Sequence, residues 1–108
     1  MRKSILIAEY DAKIATALTV RLEAAGYLVQ SAPDGYRSFM AAVALKPDLI
    51  LMDIHMPYGD GLSVAEELRN TESEPIPIIF ITASRDKAYC ERAQKIGAAG
   101  YFEKPFDS

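Results

Sequence analysis

Pro47-Asp48-Leu49-Ile50-Leu51-Met52-Asp53-Ile54-His55-Met56-Pro57-Tyr58-Gly59-Asp60-Gly61-Leu62 contains an unbroken apolar run, Leu49–Met52, that delivers a carboxylate into a loop rich in turn residues. A run this short, with no polar residue alternating through it, reads as a strand buried on both faces, the mark of a parallel sheet. Ile5–Ala8 and Ile78–Ile81 read the same way, and Leu28–Gln30 after Gly26 and Tyr101–Phe102 after Gly100 are weaker candidates. The intervals carry helical spacing. The first helix opens at Asp11, a candidate N-cap, places Ile14, Ala17, Leu18, Leu22 and Ala25 on one face, and stops at Gly26. The second begins at Asp34, turns Phe39, Ala42 and Val43 inward, and ends before Pro47. The third holds Leu62, Ala65 and Leu68 inward with Glu66, Glu67 and Arg69 outward. The fourth, Arg85 to Ile96, offers only Ala88, Cys90, Ala93 and Ile96 as apolar contacts and is expected to dock loosely. Strands alternating with helices predict an α/β fold: a five-stranded parallel sheet with helices on both faces.

The chain has 108 residues, half of them hydrophobic, which suits one core and one domain over residues 1–108. The formal net charge of −3 gives no positive field to hold nucleic acid or an anionic membrane. No apolar stretch approaches the ~18 residues of a membrane span. The lone cysteine, Cys90, excludes an internal disulfide and reads as a buried structural thiol in a reducing compartment, so a cytoplasmic protein is expected.

In open α/β sheets the binding crevice lies beyond the carboxyl ends of the strands. That edge collects Glu9 and Asp11 from the first strand, Asp53 from the third, Thr82 from the fourth and Lys104 from the fifth. Three carboxylates so gathered require a cation, and an oxygen-only donor set without clustered His or Cys selects Mg²⁺ over zinc. A metal, a lysine and a hydroxyl can together neutralise the oxygens of a phosphoryl group in transfer, with a carboxylate as nucleophile. Asp53, on the central strand, is the best placed to be that nucleophile.

The segment Pro47 to Leu62 resembles the phosphoacceptor segment of response-regulator receiver domains of two-component signalling systems. Ile78-Ile79-Phe80-Ile81-Thr82-Ala83 is similar to the family's fourth strand with its switch hydroxyl, and Gly97-Ala98-Ala99-Gly100-Tyr101-Phe102-Glu103-Lys104-Pro105-Phe106 to its fifth strand with the Lys-Pro signature. The resemblance implies a flavodoxin-like strand order 2-1-3-4-5. It implies that Asp53 takes phosphate from a sensor histidine kinase or a phosphotransfer protein, assisting its own phosphorylation and dephosphorylation without being an enzyme in the usual sense. It further implies Glu9, Asp53 and the His55 main-chain carbonyl as Mg²⁺ ligands, Thr82 and Lys104 as holders of phosphoryl oxygens, and Thr82 and Tyr101 as the switch pair. Partner binding would then fall on the surface of the fourth strand, fourth helix and fifth strand, to an output domain or a second copy.

Two features depart from the family pattern. Receivers place two adjacent acids after the first strand, whereas this chain reads Ala8-Glu9-Tyr10-Asp11. Tyr10, a phenol with a pKa near 10, stands in the direct ligand's place, so Mg²⁺ affinity is expected to fall. Asp11 is a further candidate ligand, in competition with its role as a helix cap. A pseudo-receiver that binds partners irrespective of phosphate is the alternative reading. A phosphohydrolase is disfavoured because His55 occupies the position of a second aspartate, and a flavin-binding domain because no Gly-rich phosphate loop follows the first strand. The second departure is the ending: Pro105-Phe106-Asp107-Ser108 reads as the start of a further helix, so the chain is expected to lack the family's last helix, as a trimmed segment or with that sheet face covered by another molecule.

Overall fold

In the computed structural model, which describes residues 2–104, four aspartates start the four helices found there. Asp11, Asp34, Asp60 and Asp86 accept backbone amides from Lys13 and Ile14, Arg37, Ser63 and Ala88, satisfying donors that a helix cannot use internally. The helices are α1 (Ala12–Ala24), α2 (Gly35–Leu45), α3 (Gly61–Thr71) and α4 (Lys87–Ile96), so the fourth starts two residues later than its spacing suggested. They alternate with β1 (Ser4–Ala8), β2 (Leu28–Ala32), β3 (Leu49–Asp53), β4 (Ile78–Thr82) and β5 (Gly100–Glu103). α2 ends at Lys46, which takes the left-handed conformation (φ 48°) just before Pro47.

All the strands pair in parallel, in the order β2-β1-β3-β4-β5. This is the flavodoxin-like order implied by the resemblance. Strand side chains alternate between faces, and the two faces differ. Leu6, Ala8, Ile50, Met52, Ile78 and Phe80 point to the side covered by α2, α3 and α4, where they form one cluster with Ala42, Leu62, Val64, Ala65, Leu68 and Ala93. On the other face α1 packs over β1 and β2, where Ile5 and Ile7 are buried.

The face covered by α1 is thinner than its spacing suggested. Ile14, Leu18 and Leu22 are half-buried, but Ala17 and Ala25 are exposed, and no residue of α1 is fully buried. Leu51 and Ile79 are half-buried and Phe102 is 56% exposed. α4 is held weakly, as its composition implied: Ala93 alone is buried, and Tyr89 rather than Ala88 packs against the core. Cys90 is half-buried, so the reading of a fully buried thiol is corrected. The expected helix start at Pro105 to Ser108 lies outside the described residues. No helix among the described residues is long and apolar enough to cross a membrane.

Candidate functional site

The carboxyl ends of β1, β3 and β4 are adjacent, because β1 and β4 flank β3 in the sheet. Each strand end delivers one polar side chain into the apolar interior: Glu9 is 3%, Asp53 5% and Thr82 0% exposed. Such burial is costly for charged groups unless they are paired. Lys104, one residue beyond β5, provides the pairing, with Nζ 2.5 Å from Glu9 Oε1 and 3.3 Å from Asp53 Oδ2. The lysine is itself placed by its main chain, since its amide donates to the Thr82 carbonyl.

The remaining carboxylate oxygens are engaged by backbone. Glu9 Oε2 accepts the Asp11 amide at 3.0 Å and Asp53 Oδ1 accepts the His55 amide at 3.3 Å. Burial, followed by the hydrogen bond and negative charge of Glu9, pushes the Asp53 pKa up to about 6, with Lys104 opposing the rise. At neutral pH Asp53 is therefore mostly an anion, yet more basic than an ordinary aspartate.

Behind Asp53 the backbone is packed to contact. A Cβ on Gly61 would stand 2.2 Å from the Asp53 carbonyl oxygen, so only glycine lets α3 begin directly against the end of β3. The Gly61 amide donates to the Ile54 carbonyl at 2.8 Å. Asp60-Gly61 thus both starts α3 and forms the seat of the central carboxylate.

Other residues singled out from sequence fall as follows. Asp11 is exposed and its Oδ1 accepts the Lys13 and Ile14 amides at 2.9 and 3.4 Å; its side chain serves the α1 N-terminus and does not join Glu9 and Asp53. Tyr10 is 63% exposed. The Thr82 hydroxyl accepts the Ser84 amide at 3.0 Å. Tyr101 is half-buried, its hydroxyl has no hydrogen-bond partner among the described residues, and burial raises its pKa. The His55 side chain is exposed and meets the Tyr89 ring edge-on, centroids 5.0 Å apart at 87°. That contact, which ties the loop after Asp53 to α4, had no signal in the sequence, because the two residues are 34 positions apart (89 − 55).

The two carboxylates, Glu9 and Asp53, make an all-oxygen donor set, which suits a hard divalent ion that keeps several waters. It is one carboxylate poorer than the sequence suggested, because Asp11 is turned away. Among the described residues no group of three or more His, Cys, Asp or Glu side chains is close enough to enclose a metal. A hard divalent ion held by Glu9 and Asp53 would therefore keep most of its ligands as water.

The family model for the response regulator receiver domain matches residues 5–108. The transcriptional regulatory protein RprY of Bacteroides fragilis is 41% identical over 102 residues, covering 94% of this chain and 43% of that protein. The DNA-binding dual master transcriptional regulator RpaA of Synechocystis is 39% identical over 104 residues, covering 95% of this chain and 43% of that protein. The chain thus spans less than half the length of these relatives. Among solved structures, the receiver domain of Francisella response regulator 1452 superposes with a TM-score of 0.90 at 29% identity, covering 98% of this chain and 87% of that one.

Proposed function

Because the chain belongs to the family of response regulator receiver domains, we propose that Asp53 is its phosphoacceptor and that the domain is a phosphorylation-controlled switch. The observation that carries this reading is the setting of Asp53: a buried carboxylate ending the central strand, 3.3 Å from the Lys104 ammonium and with its pKa raised to about 6. An Asp53 oxygen attacks the phosphorus of a phosphohistidine on a sensor kinase or phosphotransfer protein. The new P–O bond forms as the P–N bond breaks, and the departing imidazole takes up a proton. Lys104 neutralises charge on the phosphoryl oxygens, and Thr82, once released from Ser84, donates its hydroxyl to one of them. Hydrolysis of the same acyl phosphate by water resets the domain.

Mg²⁺, held by Glu9, Asp53 and the His55 carbonyl, would neutralise the transferring group. The exposure of Tyr10 and the capping role of Asp11 support weak metal affinity. Those same two observations favour the second reading, a pseudo-receiver that engages partners without phosphate. For output, the loose seating of α4 and the half-buried position of Tyr101 support a shift of the β4-α4-β5 surface, which would bind an output domain or a second copy. With a net charge of −3, direct contact with nucleic acid would belong to another domain.

The test is incubation with acetyl phosphate and millimolar Mg²⁺, followed by intact-mass spectrometry. A gain of one hydroxylamine-labile phosphoryl group in the wild type, absent in Asp53→Asn, is expected. A wild type that stays unmodified while still binding its kinase would overturn the switch in favour of the pseudo-receiver.

A further inference from the structure

The loop between β3 and α3, residues 54–60, presents the His55 amide to Asp53 Oδ1, so where this loop sits bears on how the central carboxylate is held. Its backbone is unusual: Tyr58 has φ 57° and Gly59 φ 115°, two successive residues in the left-handed half of conformational space. The Tyr58 side chain is 82% exposed, so burial of that ring does not hold the conformation. The hold comes from α2. The Gly35 amide, in the first turn of that helix, donates to the Pro57 carbonyl at 2.9 Å. A Cβ on Gly35 would stand 2.0 Å from the Gly59 carbonyl oxygen, 2.6 Å from its carbon and 2.7 Å from its Cα. These are main-chain atoms, and no rotamer change can relieve the overlap.

We propose that Gly35 is a positioning residue for Asp53: its bare backbone seats the loop 54–60, and through the His55 amide that seat orients the phosphoacceptor. The inference rests on the reading of Asp53 given above. α2 cannot recede to make room for a side chain. Its first turn is anchored by Asp34, 8% exposed, whose Oδ1 accepts the Arg37 amide at 2.7 Å, and Ser38 and Ala42 are fully buried beyond it. At the far side the loop is held by Ile54, 1% exposed, and by Gly61 against Asp53. Met56 is also buried, so displacement falls on the loop backbone to either side of it, the His55 amide included. A small misplacement of a reacting group costs rate far more than it costs stability.

The experiment compares wild type, Gly35→Ala and Ala44→Gly. The last weakens α2 at an exposed position remote from the loop and serves as the control for lost stability. Each is assayed for phosphorylation by acetyl phosphate, for affinity toward Mg²⁺ with beryllofluoride, and for the His55 amide resonance in the metal-free protein. Gly35→Ala is expected to fold, to lose about tenfold in rate and affinity, and to shift the His55 amide, while Ala44→Gly stays within about twofold of wild type. Equal behaviour of the two variants overturns the proposal. Should Gly35→Ala fail to fold, hydrogen exchange on the wild type decides: beryllofluoride binding must raise protection of the Gly35 amide, by the reciprocity of coupled equilibria. Unchanged protection there overturns it equally. A wild type that neither phosphorylates nor binds beryllofluoride defeats the phosphoacceptor reading itself, a result distinct from the other two.

Discussion

Asp53→Asn removes a buried charge while keeping the side chain's shape, and should make the metal-free protein more stable at neutral pH. In the folded chain the Asp53 pKa is raised from 3.8 to about 6, chiefly by burial and then by Glu9. The folded state therefore holds this proton more tightly than the unfolded chain does. Between those two values the unfolded state binds fewer protons, so stability is full below the unfolded pKa and is lost as pH rises to about 6. Two units at 1.36 kcal/mol each give about 3 kcal/mol. Solvent at the mouth of the site screens the group and reduces this to about 2 kcal/mol. Asn cannot ionise, so the variant escapes the loss. The stability difference should already be opening at pH 4.5, be nearly complete at pH 6, and level off by about pH 7 with a Tm gain of roughly 5–10 °C for a domain of this size. Urea unfolding followed by circular dichroism in EDTA from pH 4.5 to 8 measures it. Millimolar Mg²⁺ should narrow the gap, because the ion binds the wild-type carboxylate pair and stabilises the folded state by mass action. A difference independent of pH, or a variant less stable than wild type at pH 7.5, would refute the electrostatic reasoning.

Lys104→Gln leaves Glu9 and Asp53 facing each other without their shared cation; phosphorylation by acetyl phosphate should slow by about 10²-fold, as for loss of one oriented donor, and NMR titration of the Asp53 carboxyl should show a pKa above that of wild type. Tyr10→Asp restores an acid at the mouth of the site and should raise Mg²⁺ affinity about tenfold, measured by calorimetry; unchanged affinity would mean that position 10 cannot reach the ion. Asp60→Ala deletes the cap that accepts the Ser63 amide and should cost about 1 kcal/mol in urea unfolding, equally at pH 6 and pH 8.

The central strands and the helix starts were legible in the sequence for local reasons. Leu49–Met52 is apolar without alternation because β3 lies centrally, between β1 and β4, with Ile50 and Met52 buried on one face and Leu49 and Leu51 half-buried on the other; a pattern of that kind survives in any context. The starts at Asp11 and Asp34 were visible because an N-cap bonds amides only two or three residues ahead. Edge elements were less clear, since Leu28–Ala32 is mostly exposed and carries little pattern. Helical spacing identified a face on α1 but not how deeply it would be covered, and Ala17 and Ala25 remain in solvent.

For the site, the sequence by itself determined the donor types, because Glu9, Asp53, Thr82 and Lys104 follow strands whose ends a parallel sheet must bring to one edge. Only the tertiary structure decided how those donors are used. Asp11 could have served either the site or its helix, and the Lys13 and Ile14 amides hold it. Tyr10 could have turned inward or outward, and it lies in solvent. The seat of the Asp53 loop depends on Gly35 and Gly59, which are 24 positions apart (59 − 35) and touch through main-chain atoms. Contacts of that kind leave no periodicity or motif in the chain, because what they require is the absence of a side chain at a place fixed only when α2 and the loop have packed.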